Sequence, residues 1–301
     1  MTKSLRLWMG AVLAAALVTA PALAREDRDV NQRVAADPGG QVVVNNVTGT
    51  VNVEAWERAE VEVTGTLGAD VQRLDVGRDG NRVTVKVVLP KLASFDDADA
   101  DLTVRVPRAS SLEVTAVSAD TTVRGVAGPL RLKSVSGEIV ARDAAKDCEL
   151  KSVSGDIRVV AGGPPARLVA YTVSGNLVVD DLSGEIEATT VSGDMLLDLG
   201  TITNARLRST SGDARFGARL ARSARVEFES VSGNLTAKVV ADAGFGAEAD
   251  SFSGTLSNCF GVAPESVSKF GPGERMAFTR GEGSAHVRAK TMSGDVRICD
   301  R

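Results

Sequence analysis

Residues 150–159 read LKSVSGDIRV, and this stretch decides the fold. Leu150, Ile157 and Val159 alternate with polar or charged neighbours on either side of a Val-Ser-Gly-Asp unit, as half-buried β-strands do. A glycine followed by Asp or Asn tolerates positive φ and turns the chain. The stretch therefore predicts two short strands joined by a turn at the glycine.

The same unit recurs through the second half of the chain. Its glycines, which we predict as the repeat turn residues, are Gly137, Gly155, Gly175, Gly193, Gly212, Gly233, Gly254 and Gly294. The steps between them are 18, 20, 18, 19, 21, 21 and 40 residues. One such unit cannot bury its apolar face alone, whereas stacked coils share a continuous core. We predict an all-β fold, a single-chain parallel β-helix or β-solenoid with coils of about 18–21 residues, stacked about 4.8 Å apart.

The valine of each Val-Ser-Gly unit does not fit this alternation. If the strand alternation continued through the unit, this valine would be on the outward-facing side, at Val135, Val153, Val173, Val191 and Val231. A bend near the glycine would bring these side chains inside as packed corner residues. Otherwise they form an exposed apolar stripe, which would mark a contact surface. We expect the packed corner.

The first 24 residues have the pattern of a secretory signal peptide. Lys3 and Arg6 precede an apolar run, and Ala22-Leu23-Ala24 is a small-x-small cleavage site. Removing residues 1–24 leaves 33 basic and 39 acidic residues, a formal charge of −6, which does not favour nucleic-acid binding. No later stretch is apolar enough to span a membrane, so we expect an exported protein, periplasmic or at the cell surface.

The rest of the chain divides by how regular the repeat is. We predict a flexible lead at 25–38, an N-terminal β region of irregular first coils at 39–107 and the regular solenoid at 108–259. Pro264, Pro272 and several glycines interrupt the repeat, so 260–282 is predicted as an excursion loop. A terminal capping coil follows at 283–301.

Three features of the chain resemble the bacterial putative-adhesin family of exported β-solenoids, a domain of unknown function. They are the opening from Val42 to Trp56, the run of Ser-Gly-Asp repeats, and the ending from Gly281 to Ile298. The resemblance covers nearly all of the chain after the signal peptide. It implies a parallel β-helix in the cell envelope and brings no catalytic residues with it.

The strongest candidate for catalysis is the column of residues that follows the glycines. Stacked coils would bring its carboxylates to a spacing at which pairs can cleave glycosides. The column comprises Glu138, Asp156, Asn176, Asp194, Asp213 and Asn234. Each member, however, sits at a turn, where Asp and Asn are locally favoured, and the short coils offer no long loops to wall a cleft. The single histidine, His286, and three distant cysteines do not form a standard zinc site.

We therefore predict a non-enzymatic cell-envelope module, an adhesin or a scaffold. It would use no cofactor and no metal, and its partner would be an unidentified component of the envelope or surface. The alternative is a β-helical protein that binds or cleaves carbohydrate with the stacked turn carboxylates.

The three cysteines give one geometric prediction. Cys259 and Cys299 each lie five residues after a repeat glycine, so they occupy the same place in the repeat. If 260–282 is an excursion and not a coil, their Cα atoms are one rung apart, which suits a disulfide. We predict a Cys259–Cys299 bond that pins the last coil, with Cys148 as a single thiol. The alternative is that all three cysteines are unpaired.

Overall fold

The computed structural model describes residues 27–90, 98–143, 146–161, 163, 166–268 and 272–300. The predicted signal peptide, 1–24, lies outside these residues and stays a prediction. The strands of the described residues form one sheet of 25 strands. No helix of the described part has the length and apolarity that crossing a bilayer requires.

The strands group into an N-terminal part, a regular middle and a C-terminal part. The first group is β1 (Arg28–Ala35), β2 (Gln41–Asn45), β3 (Gly49–Trp56), β4 (Glu60–Leu67), β5 (Arg73–Asp79), β6 (Arg82–Val88) and β7 (Ala100–Pro107). The second group is β8 (Ser111–Thr115), β9 (Asp120–Arg124), β10 (Leu130–Ser134), β11 (Ile139–Arg142), β12 (Cys148–Ser152), β13 (Ile157–Val160), β14 (Ala166–Thr172), β15 (Leu177–Asp180), β16 (Gly184–Ser192), β17 (Met195–Ser211), β18 (Ala214–Ser232) and β19 (Leu235–Ala241). The third group is β20 (Gly244–Ser253), β21 (Leu256–Asn258), β22 (Glu265–Ser266), β23 (Glu274–Gly281), β24 (Ala285–Ser293) and β25 (Val296–Cys299).

In the regular middle, each coil contributes one strand before the Val-Ser-Gly unit and one after it. β10 pairs in parallel with β12, which sets Leu132 beside Leu150, and β11 pairs in parallel with β13, which sets Ile139 beside Ile157. These four side chains are fully buried, as their parity predicts. The predicted all-β parallel solenoid is therefore confirmed, with the core running along the axis between the two rows of strands.

At the N-terminal end, the order of coils in the stack differs from their order in the chain. The first coil consists of β2 and β3. β2 lies between β6 and β8 in one row of strands, and β3 lies between β7 and β9 in the other row. β5 and β4 then cover the outer edges of β6 and β7 as antiparallel strands. The lead predicted as flexible at 25–38 contains β1, which pairs with β4, so that prediction is wrong. Val30 and Val34 of β1 pack against the core. The other residues of β1 are mostly polar, so the sequence of this strand does not indicate that contact.

The C-terminal end repeats this arrangement. The last coil, β24 and β25, is inserted between the coil of β18 and β19 and the coil of β20 and β21. The segment 283–301 is therefore an internal coil of the stack, and the prediction that it caps the solenoid is wrong. The predicted excursion, 260–282, supplies the cap instead, because its strand β23 pairs antiparallel with the outer edge of β20.

An aromatic cluster closes the apolar interior at the C-terminal end. Phe245 is buried in the core, and Phe260 and Phe278 pack against it with ring centroids 6.0 and 6.1 Å away. The edge of β21 is blocked by side chains, since the Leu256 N–H donates to Glu274 Oε2 at 2.8 Å. Such devices keep a sheet edge from pairing with another chain.

The inserted coil explains the disulfide. Cys259 follows β21 and Cys299 ends β25, and because these two strands are neighbours the Cα atoms are 4.9 Å apart and the two sulfurs are bonded. Cys148 is a free, buried thiol. The bond ties the final strand of the chain to the strand that lies outside it in the stack.

We expect this disulfide to stabilise the C-terminal coils. Its two cysteines are 40 residues apart, and closing such a segment restricts the unfolded chain by about 3–4 kcal/mol in the chain-entropy treatment. Replacing Cys259 and Cys299 together by Ser should lower the free energy of unfolding by about that amount, measured by urea denaturation. Adding a reductant to the unmodified protein is the matched control and should reproduce the loss. Peptide mapping that finds both thiols alkylated without reductant would contradict the bond.

Candidate functional site

The eight repeat glycines stack in one line along a corner of the solenoid, which we call the Val-Ser corner. A Cβ atom on Gly175 would lie 2.2 Å from the carbonyl oxygen of Gly155, and one on Gly155 would lie 2.1 Å from that of Gly137. The same approach continues through the inserted coil, since a Cβ on Gly254 would lie 2.1 Å from the carbonyl oxygen of Gly294. Neighbouring coils therefore touch backbone to backbone at this corner, which leaves no room for a side chain.

The requirement for glycine here is chiefly steric. Positive φ occurs at some corner glycines, such as Gly212 at 126°, but not at Gly137, Gly155, Gly175 or Gly193. The expectation that the unit needs glycine for a positive-φ turn therefore holds for part of the column only. Along the rest of it the glycine is needed because the next coil approaches too closely.

The residues after the glycines form a ladder of hydrogen bonds, which we call the Asx column. The backbone N–H of Asn176 donates to Asp156 Oδ1 at 2.7 Å, that of Asp194 to Asn176 Oδ1 at 3.0 Å, and that of Asp213 to Asp194 Oδ1 at 2.8 Å. The ladder passes through the inserted coil, where the Thr255 N–H donates to Asp295 Oδ1 at 2.8 Å. Stacking brings the predicted carboxylates together, and one oxygen of each Asp and Asn in the column accepts a hydrogen bond from the backbone of the next coil. No such bond to the side chain of Glu138 is recorded.

Buried hydroxyls support the same corner from inside. The Gly155 N–H donates to Ser152 Oγ at 2.9 Å, and the Gly175 N–H donates to Thr172 Oγ1 at 3.0 Å. In the next coil the direction reverses, and Thr190 Oγ1 donates to the Gly193 carbonyl at 3.2 Å. Because Ser and Thr can donate or accept, one small hydroxyl residue can serve either backbone group of a corner. Ser134, Ser230 and Thr291 of the same column make no such hydrogen bond, so this support is present at some corners and not at all of them.

Of the five valines predicted to pack at the corner, Val135, Val153 and Val231 are exposed, and Val173 and Val191 are half-buried. None of them is buried in the core, so the expectation of a packed corner is wrong. Both the valine and the serine of a unit point outward, because the chain bends there and interrupts the alternation. We call the resulting line of side chains the valine ridge. In spatial order it consists of Val47, Val117, Val135, Val153, Val173, Val191, Thr210, Val231, Met292 and Phe252. Exposure runs from 43% at Val117 to 61% at Met292 among the most open members.

Two groups singled out by the sequence lie apart from this corner. His286 is on the outward face of β24, beside a depression of about 460 Å³ that Phe278 and Arg288 also line. Burial, with a smaller contribution from Asp147, raises the pKa of the Cys148 thiol to about 12, so this thiol is unreactive at neutral pH. Neither residue contacts the Asx column through any recorded hydrogen bond.

Sequence reasoning missed the single buried carboxylate of the described residues, Glu62. It lies on β4 between β1 and β7, where Arg33 Nε donates to it at 2.7 Å and Arg105 Nη1 at 3.1 Å. The hydrogen bond from Arg33, helped by Arg105 and opposed by burial, lowers the pKa of Glu62. Its partners come from strands far apart in sequence, so only the register of β1, β4 and β7 reveals the site.

Another carboxylate lines a depression of about 430 Å³ on the face of the strands that precede the corner. Glu149 is held there by Lys151 and by Arg131, whose Nε donates to Glu149 Oε2 at 2.9 Å. Hydrogen bonds from Lys151 and Arg131 lower the pKa of Glu149 to about 2. Glu113 and Asp147 line the same depression. No group of three or more His, Cys, Asp or Glu in the described ranges is arranged to hold a metal ion.

The steric origin of the glycine column gives a direct prediction. Gly175→Ala would place a Cβ 2.2 Å from the Gly155 carbonyl oxygen, so the coils must separate. We expect a loss of about 2 kcal/mol or more in the free energy of unfolding, as for other overpacked sites. Gly77→Ala on β5 is the matched control, because a Cβ there has no atom within 4 Å. Equal effects of the two substitutions in urea denaturation would contradict the backbone contact.

The ladder predicts a contrast between two substitutions at one position. Asp194→Asn keeps an oxygen for the Asp213 N–H and should leave the stability nearly unchanged. Asp194→Ala removes that acceptor and should cost about 0.5–1.5 kcal/mol, the usual net value of one hydrogen bond. Denaturation curves of the two variants test this, and an Asn variant as unstable as the Ala variant would show that charge matters and not the hydrogen bond.

Comparisons with known proteins identify the family of this chain. The profile of the family described as Toastrack DUF4097 matches residues 41–299, while curated proteins give no match. Among solved structures, the chain is similar to a putative adhesin from Bacteroides fragilis NCTC 9343, with 10% identity over 91% of this chain and 98% of that chain and a TM-score of 0.42. It is also similar to a putative lipid binding protein from Parabacteroides distasonis ATCC 8503, with 12% identity over 90% and 96% of the two chains and a TM-score of 0.46. Since the family profile spans the whole solenoid, which confirms the resemblance predicted from the sequence, this chain belongs to the Toastrack DUF4097 family.

Proposed function

We propose that this protein is a non-enzymatic, exported module of the cell envelope that works as an adhesin or a scaffold. The observation that carries the proposal is the Asx column. One oxygen of each Asp and Asn in it accepts a backbone N–H of the neighbouring coil, as Asp156 and Asp194 do. This structural role gives the row of acidic residues a reason that does not require catalysis, which supports the proposal.

Glycoside cleavage needs a protonated carboxyl group as general acid beside a second carboxylate. The carboxylate with the largest pKa shift, Glu149, has that pKa lowered to about 2, so it is ionised at neutral pH. Glu62 has its pKa lowered as well, and two arginines occupy it. These environments argue against the carbohydrate-cleaving alternative at the two carboxylates whose pKa values depart most clearly from the usual range.

The outward faces of the solenoid suit binding. On the face before the corner, charges of both signs pair between neighbouring coils, as Arg131 does with Glu149 and Arg208 with Glu229. These pairs repeat between neighbouring coils, so the face presents charged side chains at regular intervals. Such a surface offers many equivalent weak contacts to a large partner, which is what adhesion or scaffolding requires.

Export is supported by two features. The N-terminal sequence has the pattern of a signal peptide, and disulfides such as Cys259–Cys299 persist in oxidising compartments. The adhesin function printed for some structural relatives belongs to those proteins; it is carried here as part of the proposal.

A binding assay tests the function. The purified protein should be retained saturably by one isolated envelope fraction, among outer-membrane vesicles, peptidoglycan sacculi and surface polysaccharide. No soluble sugar product should accumulate with time in a reducing-end assay. Retention without turnover is the result that the proposal predicts, because it assigns the stacked carboxylates to hydrogen bonding with the backbone.

The matched control is the double variant Asp156→Asn and Asp194→Asn, which keeps both accepting oxygens. It should bind as the unmodified protein does. Release of reducing sugar that this folded variant abolishes would reject the non-enzymatic proposal in favour of the carbohydrate-cleaving alternative. Failure to bind any fraction would reject the adhesin or scaffold role.

A further inference from the structure

The valine ridge collects most of the exposed apolar side chains of the described residues. Nine large apolar residues are exposed in the described part of the chain. Six of these nine are ridge members: Val117, Val135, Val153, Val231, Phe252 and Met292. Tyr171 and Leu196 lie beside the ridge in the same coils, and only Val267 of the nine is elsewhere, in the C-terminal cap. In the stack the six form two exposed stretches, which are joined by the half-buried Val173 and Val191 and by Thr210. A line of exposed apolar side chains of this kind marks an interaction surface.

The spacing of the ridge restricts the polypeptide that can match it. Its members repeat once per rung, about 4.8 Å apart along the axis. An extended strand lying along the ridge would offer a side chain on one face every ~6.7 Å, and a helix would offer one turn every ~5.4 Å. A second stack of parallel strands has the same repeat as the ridge, so each side chain meets its counterpart on every rung.

Charges on the two sides of the ridge complement one another. On one side lies the Asx column. On the other lies the outward residue two positions before each ridge member, and we call this line the flank column. From the N-terminal to the C-terminal end of the stack, the flank column reads Thr115, Lys133, Lys151, Tyr171, Thr189, Arg208, Glu229, Lys290 and Asp250. On the same rungs the residues after the corner read Asp120, Glu138, Asp156, Asn176, Asp194, Asp213, Asn234, Asp295 and Thr255.

No rung in this comparison carries the same charge on both sides. Where the Asx position is acidic, the flank residue is Lys, Arg or Thr, as in Asp156 with Lys151 and Asp295 with Lys290. Where the flank residue is acidic, as at Glu229 and Asp250, the Asx position is neutral. No recorded ion pair joins the two columns within one molecule, since Lys133 and Lys151 pair with Glu113 and Glu149 on their own face.

Two symmetric arrangements bring the ridges of two copies together. A two-fold axis parallel to the solenoid axis sets the Asx column of one copy against the flank column of the other, rung by rung. A two-fold axis perpendicular to the solenoid axis sets Asx column against Asx column, so that rows of carboxylates oppose each other. Like charges in opposition cost free energy, which favours the parallel arrangement.

We propose that two copies of this chain associate side by side in parallel through their valine ridges, with the Asx column of each facing the flank column of the other. The ridge is about 40 Å long, and stacked sheets about 10 Å apart set the width of the corner. Such a strip is at the small end of protein interfaces, so the dimer is reversible. The broad faces stay free, so the association does not depend on which envelope partner the protein binds.

The first test measures self-association. Sedimentation velocity of the purified protein over a wide concentration range should show a reversible monomer–dimer equilibrium. The double variant Val153→Ser and Val231→Ser should weaken the dimer about tenfold or more, because it removes exposed methyl groups that the interface buries. Val267→Ser is the matched control, because Val267 is even more exposed than Val153 and Val231 but lies outside the ridge. It should leave the equilibrium unchanged.

The second test determines the orientation. In the parallel dimer each ridge residue faces its own copy, so Val135→Cys alone and Val231→Cys alone should each form a disulfide-linked dimer under mild oxidation. In the antiparallel dimer the two single variants would cross-link only when mixed, because Val135 of one copy then faces Val231 of the other. Val267→Cys sets the background, and the native Cys148 is buried.

Cross-linking of both single variants above the Val267→Cys background supports the proposal. Cross-linking only in the mixture would overturn the parallel arrangement. A protein that sediments as a monomer at every concentration, with no cross-linking above background, would overturn the association itself. None of these outcomes bears on the envelope-binding assay, because that assay reads retention and not oligomeric state.

Discussion

The contact on which the structure depends is that of one corner glycine with the carbonyl oxygen of the next. Parallel strands set the coils about 4.8 Å apart along their whole length, so the corner must close to the same distance. A Cβ atom on Gly193 would lie 2.2 Å from the Gly175 carbonyl oxygen, and the position therefore admits only hydrogen. The residues around the glycine follow from this approach. Asx oxygens on one side and Ser or Thr hydroxyls on the other satisfy backbone groups that the tight corner leaves without strand partners.

The two ends of the solenoid show a second constraint, which is that parallel stacks leave unpaired strand edges. At each end the terminal coil of the chain is not the terminal coil of the stack: β2 and β3 lie inside β6 and β7, and β24 and β25 lie inside β20 and β21. Antiparallel strands then cover the outermost coil, with β4 and β5 at one end and β23 at the other. A coil that pairs with a neighbour on both sides frays less easily than a coil at the end of the stack would, and the Cys259–Cys299 bond strengthens one of these internal coils.

The same corner connects the fold to function. Hydrogen bonding within the Asx column accounts for acidic residues that would otherwise suggest catalysis, and the bend that makes the corner turns valine and serine outward together. A line of mostly apolar side chains between the Asx column and a flank column of mixed charge is thus a by-product of the repeat. It is also the surface at which we propose that a second copy binds. The proposed binding of an envelope component would use the broad, charged faces on either side.

The sequence by itself determined the repeat, the two strands per coil and the buried parity of residues such as Leu150 and Ile157, because each depends on spacing along the chain. It also placed Cys259 and Cys299 at the same point of the repeat, but their pairing depended on how the last coil is stacked. The tertiary structure alone decided the order of coils at the two ends. Every coil carries the same corner, so the 40-residue step from Gly254 to Gly294 fits either a skipped rung or an inserted coil, and only strand pairing distinguishes them. The tertiary structure also decided that the valines point outward. Strand alternation cannot predict which way a side chain points where the chain bends. The site of Glu62 depends on β1, β4 and β7, and contacts among strands so distant in sequence leave no local pattern from which they could be predicted.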